Sequence, residues 1–170
     1  EEIIMGYGVV RTDNMTATDV RKELVSVRYQ PNDVKTAIDN GNVVKLNGLE
    51  SGSREVYKGV TPSATDDIKD IVLIASPEVN YDERKRNLDE FTNEAGVIVR
   101  GYHLVANDVF SVTKDALDGV AAPAVGNIVE LKAGTKLNVV ESLTDKSTQI
   151  GSIIDINNVG RYTYYVIKVC

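Results

Sequence analysis

Gly126-Asn127-Ile128-Val129-Glu130-Leu131 and its near copy Gly41-Asn42-Val43-Val44-Lys45-Leu46 decide the fold class. Each opens on a turn pair that tolerates positive φ, then runs on as branched apolar residues with a polar one let in. That is the pattern of a half-buried strand leaving a tight turn. A looser third version, Asn107-Asp108-Val109-Phe110-Ser111-Val112, has the same form. The recurring unit is therefore a strand and not a catalytic loop.

Strand patterns continue outward on both sides. Residues 24–29 alternate apolar and polar positions, as a strand with one wet face does, and Pro31-Asn32-Asp33 ends them. Residues 54–60 alternate in the same way and pair with 43–46 as a hairpin through the turn at 48–53. Ile71-Val72-Leu73-Ile74-Ala75 is the most continuously apolar stretch, short and branched, and predicts a strand buried on both faces at the centre of the core. Beyond residue 97 the candidates are 97–104, 109–113, 128–131, 136–140, 150–156 and 162–169, with Ala121-Ala122-Pro123-Ala124 as a small-residue loop among them. Short strands at this spacing predict a mainly β protein, a small β-barrel or β-sandwich.

The flanks and the middle read differently. Residues 6–12 form an extended arm, Thr16-Ala17-Thr18-Asp19 is loop or helix-cap chemistry, and 17–23 can hold a single helical turn. Residues 1–4 read as an extension ahead of a natural start at Met5. Residues 82–96 are charged, with Leu88, Phe91 and Ala95 at helical spacing and Gly96 placed to stop a helix. An irregular exposed loop is the other reading of this segment. The expected division is an N-terminal arm and β subdomain at 1–76, a charged helical or loop insertion at 77–96, and a β-barrel-like domain at 97–170. The repeated Gly-Asn start equally fits one continuous β domain with an insertion.

The composition bears on function mostly by exclusion. Lys and Arg number 19 against 25 Asp and Glu, a net charge of -6, which argues against a nucleic-acid partner because phosphate affinity comes from clustered cations. The lone cysteine, Cys170, forms no internal disulfide, so packing alone must hold the fold. No apolar run approaches the length of a membrane span. The only histidine, His103, lies in a strand pattern and reads as a partly exposed strand residue rather than a zinc ligand or catalytic base. Asp66-Asp67, Asp82-Glu83 and Asp89-Glu90 lack the alternating oxygen-ligand spacing of a calcium loop and read as solvated faces. Gly6-Tyr7-Gly8 lacks the third glycine of a dinucleotide fingerprint. No catalytic, cofactor-binding or metal residue is assigned, and the chain is expected to be no enzyme and to carry no cofactor.

Two features suit assembly instead. Arg84-Lys85-Arg86 is flanked by acids and predicts a salt-bridged exposed segment able to read a repeated partner by charge complementarity. Tyrosine is used eight times against two phenylalanines and no tryptophan. In the final strand Tyr162, Tyr164 and Val166 share one face, while Tyr165 and Ile167 share the other. These side chains serve either ordinary strand packing or a subunit interface.

Residues 5–12, 54–59, 81–85, 87–91 and 160–165, in particular Met5-Gly6-Tyr7-Gly8, Arg54-Glu55-Val56-Tyr57, Tyr81-Asp82-Glu83-Arg84-Lys85 and Gly160-Arg161-Tyr162-Thr163-Tyr164-Tyr165, resemble small structural proteins of tailed bacteriophages encoded near the major capsid protein. Asp108-Val109-Phe110-Ser111-Val112, residues 126–131 and Gly151-Ser152-Ile153-Ile154-Asp155 also resemble the small β-barrels of capsid decoration, or cement, proteins. This resemblance implies a non-enzymatic virion protein that binds the capsid exterior in many copies, often as a trimer, with the major capsid protein as partner. Another head, neck or tail role is the alternative within that class. A carbohydrate-binding module is the alternative outside it, and the missing tryptophan and lone histidine argue against it. The arm and residues 81–91 are the expected contact elements, the first through strand addition.

Overall fold

The computed structural model describes residues 6–12 and 23–170. The extension at 1–4, the cap chemistry at 16–19 and all of the 17–23 helical turn except Glu23 lie outside the described residues. The three repeated stretches fold alike. In each, a β-turn puts its third residue in the left-handed region: Gly41 at φ 83°, Gly126 at φ 92° and Asn107 at φ 73°. The next N–H closes the turn on the carbonyl three residues back, Asn42 on Asp39 at 3.4 Å, Asn127 on Ala124 at 3.1 Å and Asp108 on Val105 at 3.0 Å. The pair then clamps one buried residue of a neighbouring strand. The N–H groups of Gly41, Gly126 and Asn107 donate to the carbonyls of Ile74, Ile153 and Val169 at 2.8, 2.8 and 3.1 Å. Those three residues return N–H bonds to Asn42, Asn127 and Asp108 at 2.8, 2.9 and 2.8 Å. Only glycine, or asparagine with its short polar side chain, takes that turn position cheaply.

Five strands, β1 (Leu24–Tyr29), β2 (Val43–Leu49), β3 (Val56–Val60), β4 (Ile71–Ile74) and β5 (Val99–His103), form a closed barrel in the order β1-β3-β2-β4-β5. β5 pairs back on β1, with Val99 opposite Val27 and Tyr102 opposite Leu24. The β1–β3 contact is parallel and the other four are antiparallel. The remaining strands are β6 (Val109–Thr113), β7 (Leu117–Gly119), β8 (Ile128–Glu130), β9 (Leu137–Val140), β10 (Gln149–Val159) and β11 (Tyr162–Val169). They make a second sheet in the order β6-β11-β10-β8-β9-β7. The mainly β barrel expectation is met, but the closed barrel belongs to the first half of the chain. A division at 96/97 cuts through it, because β5 has partners on both sides, β4 and β1, and closes the ring.

β4 shows why its sequence is uniformly apolar. Val72 and Ile74 point into the barrel with Val27, Val44 and Val99, whereas Ile71, Leu73 and Ala75 face the second sheet and pack with Phe110, Leu137 and Ile150. Period-two alternation thus distributes one run between two cores. Each fully buried Ile, Leu or Val stabilises by about 1.5–3 kcal/mol relative to exposure. The barrel interior is narrow: a Cβ on Gly59 would lie 2.8 Å from the Val27 Cγ1.

The arm is committed to its own chain. Val9 and Val10 are buried, the Arg11 N–H donates to the Ser111 carbonyl at 3.0 Å, and the Thr113 N–H donates to Val9 at 3.0 Å. Residues 9–11 therefore cover the edge strand β6 rather than offering themselves to a partner's sheet. The tyrosine faces in β11 follow the alternation, with the Tyr162 and Tyr164 rings 6.1 Å apart and Tyr164 buried.

Of the two readings of the charged insertion, the loop is found. Only Leu88–Glu90 makes a turn of 3-10 helix, and Gly96 occupies a β-turn at φ 85°, closed from the Val97 N–H to Glu94 at 3.2 Å. Asp82 accepts both the backbone N–H of Arg84, at 3.1 Å, and its guanidinium, at 3.0 Å. Such local bonds compete with helix. Of the basic cluster only Arg84 is salt-bridged among the described residues, to Asp82 two residues back, while the Arg86 guanidinium donates to the Glu83 carbonyl at 2.9 Å.

Candidate functional site: a strap over a groove

Residues 77–92 leave the barrel at the end of β4 and form a strap fixed at three places. Its two ends meet on Asn40. The Asn40 amide donates to the Ser76 carbonyl at 2.8 Å, and its Oδ1 accepts from the Ser76 N–H and the Asn93 amide, both at 3.0 Å. Ile38 and Asn93 also exchange backbone bonds at 3.0 and 3.1 Å. All three polar residues are buried, so each bond also removes a desolvation cost. Beside this knot, Glu78 keeps one oxygen, Oε1, buried and without a hydrogen-bond partner among the described residues. Burial pushes its pKa above the ordinary 4.5, against the opposing pull of its own backbone N–H and Asn40.

The third anchor is Asp89. Its carboxylate pairs with Arg161 and accepts from the Tyr162 hydroxyl at 3.1 Å, while its carbonyl accepts from the Tyr7 N–H at 3.1 Å. The Arg161 guanidinium also lies over the Tyr162 ring, 5.1 Å from its centre. The strap therefore joins the barrel, the arm and the β10–β11 hairpin. Replacing Asp89 by alanine is expected to speed proteolysis within 77–88 several-fold while leaving the melting temperature nearly unchanged, because an ion pair whose arginine is exposed adds little global stability. Unchanged cleavage in timed digests would mean that the Asn40 knot alone holds the strap.

Between these anchors the strap stands clear. Tyr81 is 95% exposed and Val79 59%. Beneath it runs a groove of about 880 Å³ whose floor includes Val25 of β1, Ile98 and Arg100. Phe91, Lys85 and Glu94 stand in its walls. Two of its acids are occupied. Asp82 is held by Arg84, which lowers its pKa, and Glu90 accepts from the Asn87 N–H at 2.9 Å and amide at 3.1 Å. Lys85 and Arg100 make no side-chain hydrogen bond or ion pair among the described residues.

The other acidic pairs serve structure. Asp66 pairs with Lys45 at 2.6 Å, and Asp67 caps the turn at Ile68–Asp70 and pairs with Lys69 at 3.0 Å. His103 ends β5 opposite Val72. Among the described residues no three His, Cys, Asp or Glu side chains gather where they could hold a metal ion. No helix among them is long and apolar enough to cross a membrane. No family model, curated protein or solved structure matches the chain. Of the groove residues, the sequence reading singled out Tyr81, Asp82, Lys85, Glu90 and Phe91; Ile98 and Arg100, like Asn40 in the knot, carried no signal beyond strand alternation and turn composition, because only folding brings them beside the strap.

Proposed function

We propose that the chain is a non-enzymatic virion structural protein that decorates and stabilises the capsid of a tailed bacteriophage. Its partner is the major capsid protein, bound in many copies on the capsid exterior after assembly in the host cytoplasm, and the protein acts as a homo-oligomer, a trimer by preference. The observation that carries this reading is the strap, tied at Ser76, Asp89 and Asn93 so that Val79 and Tyr81 are presented to solvent on a fixed frame. A pre-organised contact element loses less entropy on binding. Subunits that each engage a capsomer weakly gain avidity when linked, since the second contact forms at high effective concentration. The resemblance of residues 81–85 and 87–91 to phage structural proteins falls on this same strap.

Co-sedimentation with expanded capsids lacking the protein, together with its mass by light scattering, tests the reading. Saturable binding at a fixed ratio to the capsid protein is expected, with a trimeric mass. A folded protein that shows no saturable binding would overturn it in favour of a neck, tail or glycan-binding role.

A further inference from the structure

We propose that the groove beneath the strap is the reading site for the capsid partner, and that it takes an extended partner segment carrying an apolar anchor next to a carboxylate. This rests on the capsid-binding reading above. The floor explains the mode of recognition. β1 and β5 pair on both sides at Ser26 and Val27 and at Gly101 and Tyr102, and the Arg100 N–H and carbonyl are taken by the Ser76 hydroxyl and the Ala75 N–H, so at these positions the floor has no ladder edge for strand addition. Recognition must come from side chains. Val25, Val97 and Ile98 supply an aliphatic surface, and Ile98 is still 48% exposed in the free chain, which leaves apolar area for an anchor to cover.

Charge selects the neighbour of that anchor. With Asp82 held by Arg84 and Glu90 by Asn87, the groups left to meet a ligand are Arg100 from the floor, Lys85 from the strap and the single acid Glu94. A guanidinium presents a fork that matches a carboxylate in two parallel bonds. The groove volume, about 880 Å³, lies within the range of clefts that enclose most of a bound ligand. An uncharged oligosaccharide fits less well: the Phe91 and Tyr81 rings at the groove can meet a sugar face, but Arg100 and Lys85 would gain no counter-charge from it.

The test uses the full chain and, as probe, expanded capsids lacking the protein. Arg100→Glu and Ile98→Ser are each expected to weaken co-sedimentation by about tenfold or more. The Arg100→Glu variant should also lose salt sensitivity, and Lys168→Glu, an exposed charge on β11 away from the groove, should bind as wild type does. Circular dichroism and a thermal melt confirm that each variant is folded. Wild-type binding retained at full strength by both groove variants would overturn the groove assignment while leaving the capsid reading standing. Failure of folded wild type to bind would overturn both. Saturable binding of an uncharged oligosaccharide, lost in Ile98→Ser and kept in Arg100→Glu, would overturn the proposal in favour of a sugar site.

Discussion

Replacing Glu130 by alanine is expected to lower stability by about 3 kcal/mol, and the melting temperature by roughly 6–12 °C for a chain of this length. Glu130 lies in β8 at 2% exposure, yet every bond its carboxylate needs is present. Oε1 accepts from the Asn138 amide at 2.8 Å and the Thr144 hydroxyl at 2.7 Å, and Oε2 from the Thr144 N–H at 2.8 Å. Truncation removes all three bonds at once and frees the connection between β9 and β10 that Thr144, itself exposed, holds down. A purely apolar pair of strands would tolerate the change far better, which makes this carboxylate the polar keystone of the second sheet.

The same residue sets a pH dependence. Burial by itself would raise the Glu130 pKa, but the bonds from Thr144 and Asn138 outweigh it and hold the carboxyl below its ordinary 4.5. A folded value below the unfolded one means that the contribution is complete above 4.5 and is lost as pH falls through the folded value. Melts of wild type and Glu130→Gln should therefore differ most near neutrality and converge in acid. A gap that stays constant with pH would show that the carboxylate's charge contributes nothing.

Gly151→Ala is expected to cost at least about 3 kcal/mol in a urea titration, and more if β10 and β11 cannot separate. An added Cβ would sit 2.1 Å from the Lys168 carbonyl oxygen, 2.9 Å from its carbon and 3.2 Å from the Val169 Cα. All three are backbone atoms, so no flexible side chain can yield. The position is paired on both sides, with Val169 of β11 and Val129 of β8, next to a register shift between Gln149 and Gly151. Widening one ladder would disturb the other. A loss of less than 1 kcal/mol would mean that the strands slide apart more easily than their pairing implies.

Turn chemistry and alternation made most strands legible in the sequence. β1, β6 and β11 match the read segments residue for residue, and β4 is as buried as its run of Ile71-Val72-Leu73-Ile74 requires. β7 escaped because Leu117-Asp118-Gly119 is too short to alternate and exists only by lying parallel to β9. β10 was read too short. Asn157-Asn158 resembles a turn, but residues 155–159 are held extended by pairing with 162–166 across the Gly160-Arg161 tip. The helical spacing of Leu88, Phe91 and Ala95 was an accident of composition, overridden by anchors at Asp89 and Asn93 on separate surfaces.

The sequence by itself determined most of the strands, β7 and the end of β10 excepted, and the turns that open them, because φ preference and side-chain alternation are properties of neighbouring residues. It also determined that β4 is central and placed the acids and bases of the strap side by side. Only the tertiary structure decided that β5 closes the first barrel, that the arm covers β6, and that Arg100 and Ile98 lie beneath the strap. Those outcomes depend on which edges meet across long separations, and a hydrogen-bonding edge carries the same donors and acceptors whatever strand it will pair with.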